Sequence, residues 1–324
     1  MTLRVSTLAG AAALVMLGLA PGAYAKDPAP VSITLAGLRT IQFLPVQYAQ
    51  QQGYFKRVGL NVTILMLNSG PAVISGVVSG SAEVGYASSV PIIFARAQHQ
   101  PVRIFDAMTI ENSSGAVKWN WLVASKRSGI RSIKDLGGKT IAMNTTGGAC
   151  ELQFRDHMAA AGVPFDSVKS IVVPFPQMQA ALQLGNADAA CPVEPFYTSM
   201  RTSPEVQALA LSSNTLAAPS QLYAEDVLFV RDDWGKAHLD ALHRMNQALG
   251  VVFAKLKKDP TLYHRLLIED YKFKEAMVNQ MTINVDFANV SPTPADVEPL
   301  IKALKRNKML TLDVKPEDVV LKVP

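Results

Sequence analysis

Catalytic signatures are missing from these 324 residues: there is no G-x-S-x-G nucleophile elbow, no H-E-x-x-H motif and no G-x-x-x-x-G-K-[ST] phosphate loop. Cysteine is scarce, at two residues, so no tight Cys/His set exists to ligate a metal. The five histidines, His99, His157, His238, His243 and His264, fall in helical segments away from strand ends. His238 and His243 stand five apart, off the i, i+4 spacing of two ligands on one helix face, and all five read as surface or packing residues. No metal and no cofactor is implied. Charge of one sign is also in short supply: without residues 1–25 the chain has 30 basic against 26 acidic residues, too mild an excess to mark a nucleic-acid partner. The basic runs Lys255–Lys258 and Lys302–Lys308 lie on amphipathic helical patterns and read as solvated helix faces. No segment after the N-terminus reaches the ~20 apolar residues of a spanning helix without a charge or a breaker, so the mature chain is expected to be soluble. A solenoid is excluded as well, because three or more short repeats are not visible.

What is present is apolar material, 49% of the chain, enough to exclude disorder and to fill one large domain or two lobes. Residues 1–25 read as a secretory signal peptide: a positively charged MTLR, thirteen apolar residues from Leu8 to Ala20, and the A-x-A site Ala23-Tyr24-Ala25. No cysteine stands at the cleavage point, which excludes a lipoprotein and leaves a free exported protein, expected in the periplasm. In that oxidising compartment Cys150 and Cys191 could pair or stay as buried thiols; sequence alone does not bring their Cα atoms to the roughly 4.4–6.8 Å a disulfide requires.

From Val31 strand and helix patterns alternate. VSITLAGL, NVTILML, AEVGYAS and VRIFDAM read as strands, with helices predicted over Pro45–Val58, PAVISGVVSG and PIIFARAQ. After WNWLVAS, Ser132-Ile-Lys-Asp135 is a capping box opening a short helix, because the serine oxygen can accept an early helical N–H while the acid reaches back. Strands at KTIAMN, VKSIVVPF and ADAACPV then alternate with helices at Gly148–Ala161 and QMQAALQL. A strand at DVLFVR leads into amphipathic helices at HLDALHRMNQALGVVFAKL, PTLYHRLLIED and PADVEPLIKALKRN. Such alternation implies parallel β-α units and an α/β layered fold. The two halves also share wording: Gly59-Leu-Asn-Val, a strand, a helix and Gly80-x-x-Glu83 run parallel to Gly162-Val163, a strand, a helix and Gly185-x-x-Asp188. Two α/β lobes of related construction are predicted.

Ligands of open α/β sheets sit outside the carboxyl ends of strands, so the polar residues at those ends are the candidates. After KTIAMN, Thr145, Thr146, Gly147 and Gly148 bring hydroxyls, backbone N–H groups and a helix N-terminus together, as a cradle for an anion or polar oxygen or as an ordinary capped turn. Tyr86-Ala87-Ser88-Ser89-Val90-Pro91 is the counterpart in the first half. Arg39, Thr40, Gln42 and Phe43 follow the first strand, and Asn68 and Ser69 the second. Arg39 is suited to a bidentate carboxylate or sulfonate contact, or is a surface arginine. Glu194 follows an apolar strand, where an unpaired carboxylate is costly: either it lines a cleft and accepts from a ligand, or it salt-bridges the frame. Trp119 and Trp121 flank the passage between the halves, as an aromatic wall or as core.

These residues carry a resemblance. Phe43-Leu-Pro45, Ala49, Gly53-Tyr-Phe55 and Val58-Gly59-Leu60 are similar to the opening of the periplasmic solute-binding proteins of the nitrate, sulfonate, taurine and thiamine-precursor (THI5/NMT1-like) type. Gly80-x-x-Glu83-Val84-Gly85, Ile133-x-Asp135-Leu136-x-Gly138-Lys139-x-Ile141-Ala142, and Ala181-Leu182-x-x-Gly185-x-x-Asp188-Ala189 with Glu194-Pro195 resemble that family's later motifs. The likeness covers nearly the whole mature chain. It implies a two-lobe periplasmic-binding-protein fold (type II), each lobe a β-sheet flanked by helices. Lobe one would combine 26–122 with 228–324, lobe two would be the inserted 123–227, and hinge crossings would fall near 122–125 and 224–228.

The resemblance further implies a monomer that traps a small solute between its lobes by hinge closure and delivers it to an inner-membrane ABC permease, with no catalytic step. Its ligand-contact positions fall on Thr40, Gln42, Phe43, Asn68, Ser69, Ser88, Ser89, Thr145 to Gly148, and Glu194. Arg39, several hydroxyls and one carboxylate disfavour simple nitrate and suit a small organic anion or zwitterion, taurine-like or an aromatic sulfonate or carboxylate. The alternatives are a binder of the thiamine-precursor pyrimidine and a pyrimidine-synthesising enzyme of the yeast type. That enzyme would call for a cysteine-rich motif and a cytosolic chain. The effector domain of a transcription regulator would need a DNA-binding helix-turn-helix where the signal peptide stands.

Overall fold

The computed structural model describes residues 30–111, 120–218, 222–283 and 288–324. Residues 1–25, where a signal peptide is expected, and Trp119 lie outside the described residues. Along the chain the strands are β1 (Val31–Leu38), β2 (Leu60–Leu67), β3 (Val84–Ser88), β4 (Val102–Ala107), β5 (Ile110–Glu111), β6 (Trp121–Ala124), β7 (Thr140–Met143), β8 (Lys169–Val172), β9 (Ala189–Ala190), β10 (Leu209–Ser213), β11 (Tyr223–Ala224) and β12 (Asp226–Arg231). They form a five-stranded sheet in the order β2-β1-β3-β12-β4, a second in the order β8-β7-β9-β6-β10, and a ribbon of β5 with β11.

The two sheets repeat one figure. In each, three parallel strands are followed by one antiparallel strand and an edge strand that is antiparallel to it. The alternation of strand and helix predicted parallel units throughout, and β6 and β12 depart from that. Both enter their sheet directly from the other half of the chain, without the crossover helix that forces parallel pairing. Two further details differ from the sequence reading. The helix predicted over Pro45–Val58 is two, Leu44–Gln51 and Tyr54–Arg57, because Gly53 takes a left-handed φ of 70° between them. Ser132 and Asp135 do form the capping box, but on a 3-10 turn, Ile133–Leu136.

The shared wording of the two halves has a shared physical cause. Glu83 accepts the Thr34 N–H at 2.7 Å and donates its own N–H to the Thr34 carbonyl at 3.0 Å. Asp188 does the same with Thr140, at 2.9 and 2.8 Å. In each sheet a carboxylate thus supplies the acceptor that an inner strand, β1 or β7, would otherwise lack where pairing begins. Replacing either acid by alanine leaves a half-buried strand N–H without its partner; Glu83→Ala and Asp188→Ala are each expected to lower stability by about 1–3 kcal/mol, read from urea midpoints.

Each sheet has its own core. The long helix Leu239–Lys258 lays a stripe of Leu242, Met245, Leu249, Val252 and Leu256 against one face of the first sheet. Helices Ser89–Ala97 and Glu298–Arg306 cover its other face, while Phe154, Met158, Met178 and Leu182 pack on the second sheet. The basic runs behave as the pattern predicted: Lys255, Lys257, Lys258, Lys302, Lys305 and Lys308 are exposed, with Leu256 and Leu304 buried between them.

Candidate functional site

A cleft enclosing about 670 Å³, its open mouth included, lies between the strand ends of the two sheets. Helices Gly70–Val78, Ser89–Ala97, Ala149–Ala160 and Phe175–Leu184 all begin beside it, through Gly70 and Pro71, Pro91, Ala149 and Cys150, and Phe175. That convergence follows from parallel pairing, which puts the strand-to-helix turns of a sheet on one edge.

Five of the residues singled out from sequence line this cleft: Thr40, Gln42, Ser88, Thr145 and Gly148. Arg39 and Asn68 line an adjoining pocket that shares Leu38, Thr40 and Phe175 with it. The others serve the frame. Phe43 is fully buried against Tyr86, ring centroids 4.9 Å apart, and lies over Gly37, where a Cβ would come within 2.5 Å of its ring. Ser69 caps its helix by accepting the Ala72 N–H at 3.3 Å. Buried Ser89 donates to the Ala224 carbonyl at 2.8 Å. Thr146 and Gly147 turn away from the cleft, into a surface pocket with Pro71 and Phe94, and the Gly147 N–H donates to Glu151 Oε2 at 2.9 Å. Trp121 stacks on Tyr197 in the second core, centroids 4.3 Å apart. Cys150 and Cys191 are joined as a disulfide, Cα atoms 5.8 Å apart, which ties the first turn of helix Ala149–Ala160 to the end of β9.

Glu194 is buried, and both its oxygens are taken by the chain. It accepts from the Thr198 N–H at 3.1 Å, the Thr198 hydroxyl at 2.7 Å and, from a segment packed on the first sheet, the Thr282 N–H at 3.1 Å. Arg201 donates to the neighbouring Gln280 carbonyl at 2.7 Å. Burial raises the Glu194 pKa, and these hydrogen bonds oppose the rise. Glu194 is therefore a tie between the two halves rather than part of the cleft lining.

Beside Tyr86 of the loop that ends in Pro91, the cleft holds residues that the sequence reading passed over: Asn120, Gln153, Glu225 and Asp226. Asp226 opens β12 directly beside Ser88 on β3, and exchanges hydrogen bonds with the Thr109 hydroxyl, 2.9 and 3.2 Å. Asn120 Nδ2 donates to Glu111 Oε1 at 3.2 Å, to Thr215 Oγ1 at 3.0 Å and to Glu225 Oε1 at 3.4 Å. Tyr223 donates to the other oxygen of Glu111, which also accepts the Thr215 N–H at 3.0 Å. Desolvation pushes all three carboxyls up, Asp226 to about 6, and mutual repulsion raises Glu111 and Glu225 further. The signal that could have found them is the one that drew attention to Glu194: adjacent acids, Glu225-Asp226, immediately before the apolar run VLFV. Among the described residues no group of three or more His, Cys, Asp or Glu is placed to hold a metal ion.

Two sheets of identical strand order with a polar cleft between their carboxyl ends define a periplasmic-binding-protein fold, and solved structures agree. The alkanesulfonate-binding protein SsuA from Xanthomonas axonopodis pv. citri, bound to MOPS, superposes with a TM-score of 0.74 at 16% identity, over 91% of this chain and 99% of that one. The periplasmic nitrate-binding protein NrtA from Synechocystis PCC 6803 gives 0.69 at 15% identity, over 90% and 85%. Residues 40–261 match the NMT1/THI5-like family, and the chain belongs to it. A curated relative, the 4-amino-5-hydroxymethyl-2-methylpyrimidine phosphate synthase of Schizosaccharomyces pombe, is 32% identical over 98 residues, 30% of this chain. The match spans about a quarter of that relative's length, 27%.

Proposed function

We propose that the chain is the periplasmic solute-binding component of an ABC importer, which holds a small organic anion or zwitterion of the sulfonate, taurine or aromatic-acid kind and delivers it to a membrane permease without catalysis. The observation that carries this is the placement of one polar cleft between two separately cored sheets. The kinship with sulfonate- and nitrate-binding folds supports it. In this reading lobe one ends before Trp121 and resumes near Asp226, a few residues from the expected bounds 26–122 and 228–324. The pairing of Trp121–Ala124 into the second sheet and of Asp226–Arg231 into the first supports crossings at the β5-β11 ribbon and its flanks rather than at 122–125 and 224–228. The acidic group of the solute faces Arg39 in the adjoining pocket. A pyrimidine of the thiamine-precursor kind is the second reading, favoured by the match to the fission-yeast synthase. The synthase reaction itself is the weaker choice, since a cysteine-rich motif is called for and the two cysteines of this chain are joined to each other.

A thermal-shift screen of the mature protein against sulfonates, taurine, aromatic acids, nitrate and pyrimidines tests the reading, because a solute at 100 times its Kd stabilises the fold by about 2.7 kcal/mol. The same solute is expected to shrink the radius of gyration measured by X-ray scattering. Glu194→Ala removes the contact to Thr282 without touching the cleft lining, so closure loses a partner, and affinity is expected to fall about tenfold, or 1.4 kcal/mol. No stabilisation by any compound, or stabilisation without compaction, counts against a hinged binder.

A further inference from the structure

Resting on the solute-binding reading, we propose that the end of the solute seated at Glu225 is a positively charged N–H donor, an ammonium or amidinium group, with Gln42 as a second acceptor in the same cleft. Glu225 is 2% exposed and Gln42 3%, and Oε2 of the first and Oε1 of the second have no hydrogen-bond partner among the described residues. Both side chains line the cleft. An amide can turn round to offer N–H instead of C=O; the Glu225 carboxyl, whose pKa burial raises, accepts with both oxygens once a cation draws it into the ionised form. A buried acceptor left without a donor costs free energy that a donating solute would recover.

The surroundings favour a cation. Among the described residues lining the cleft there is no lysine, arginine or histidine. Glu225 shares Asn120 with Glu111, and Asp226 follows it in the chain and also lines the cleft, so a cation lowers the repulsion of three carboxyls at once. Two features that could have held an anion are already used. The Gly147 N–H is bonded to Glu151, whose carboxylate stands in the first turn of helix Ala149–Ala160 and offsets its dipole. Ser69 is occupied in capping, and Arg39 lines the adjoining pocket.

The groups facing Glu225 set its pH response. Glu111 and Asp226 raise its pKa by repulsion on top of desolvation, while Asn120 and Thr215 oppose the rise; Tyr223 and Tyr86 face the cluster as hydroxyls, bonded to Glu111 and Asp226. A cation arriving at Glu225 favours the ionised form, so binding releases a proton and weakens as pH falls.

Three probes that share a phenyl ring test this on the mature protein: benzamidine, a cation; benzamide, a neutral donor; and benzenesulfonate, an anion. Titration calorimetry is expected to show benzamidine binding at least about tenfold more tightly than benzamide, with benzenesulfonate weaker still. Glu225→Gln is expected to abolish the preference for benzamidine. In the wild type, benzamidine affinity is expected to fall by up to about tenfold per pH unit on going from pH 7 to pH 5, benzamide affinity remaining level. If Glu225→Gln does not fold, this pH contrast in the wild type decides. Binding of benzenesulfonate with benzamidine silent overturns the inference and leaves the binder reading intact. If neither these probes nor any solute of the wider screen binds, the binder reading fails and this inference with it.

Discussion

Unfolding of the wild-type protein is expected to need less urea at pH 8 than at pH 5, and Asp106→Asn is expected to remove much of that difference. Asp106 is fully buried in β4, and neither carboxylate oxygen has a partner among the described residues. Desolvation raises its pKa from 3.8 to about 8. A carboxyl that holds its proton more tightly when folded contributes fully below the unfolded pKa, and that contribution is lost as pH rises through the folded value. The window therefore runs from about 4 to about 8, and at 1.36 kcal/mol per unit the loss is at most about 6 kcal/mol over the whole window and about 4 kcal/mol between pH 5 and pH 8. Asp226, Glu111 and Glu225 have raised pKa values too, so they act in the same direction and leave a residual slope in the variant. Equal pH slopes for wild type and variant would mean that Asp106 ionises without cost and is paired in solution.

Loss of the Cys150–Cys191 bridge is expected to destabilise the protein by about 4 kcal/mol, the chain-entropy value for cysteines 41 positions apart. Its effect reaches the cleft, because Cys150 and Cys191 both line it and the bridge fixes the helix start that follows Thr145 and Gly148. The double variant Cys150→Ser with Cys191→Ser, compared with wild type under dithiothreitol, should give matching drops in the urea midpoint. No change on reduction, with two free thiols by alkylation of the unfolded chain, would show that the purified protein does not carry the bridge.

How far the residues announced the fold can be followed through particular positions. Alternating apolar residues in β1 and β2 and the capping box at Ser132 were legible because they act within one strand or turn; Glu83 and Asp188 were legible only as a repeat, since the threonines they bond stand 49 and 48 residues away. The antiparallel entry of β6 and β12 was not, since pairing of Val230 with Val84 and Arg103 depends on where the chain returns after the second sheet. In the site, Thr40, Gln42, Ser88, Thr145 and Gly148 follow from the rule that strand ends face the ligand. Ser69, Ser89 and Glu194 obey the same rule and are nonetheless consumed by the frame. Ser89 and Glu194 find partners remote in sequence, Ala224 and Thr282, which leave no trace in spacing, whereas Ser69 is taken locally by the Ala72 N–H as a helix cap. Asp226 was read as the first residue of a strand and Glu225 as the loop before it, and that both line the cleft was hidden until the ribbon preceding them is seen.

The second sheet is written in one unbroken stretch, whereas the first must wait for β12. Left unfolded, the intervening chain would make β12 close a loop of more than a hundred residues to reach β3 and β4. Once β6 and β10 pair, however, Trp121 stands opposite Ser213 and the Asn214 N–H reaches the Asn120 carbonyl at 2.9 Å, so the two ends of the insert are held side by side. The effective loop shrinks to the few residues on either side of the ribbon. Because closure entropy grows with the logarithm of length, that shortening lowers the entropic barrier to completing the first sheet by roughly 1–2 kcal/mol. The inserted half thus acts as a clamp that brings distant parts of the other half within reach of each other.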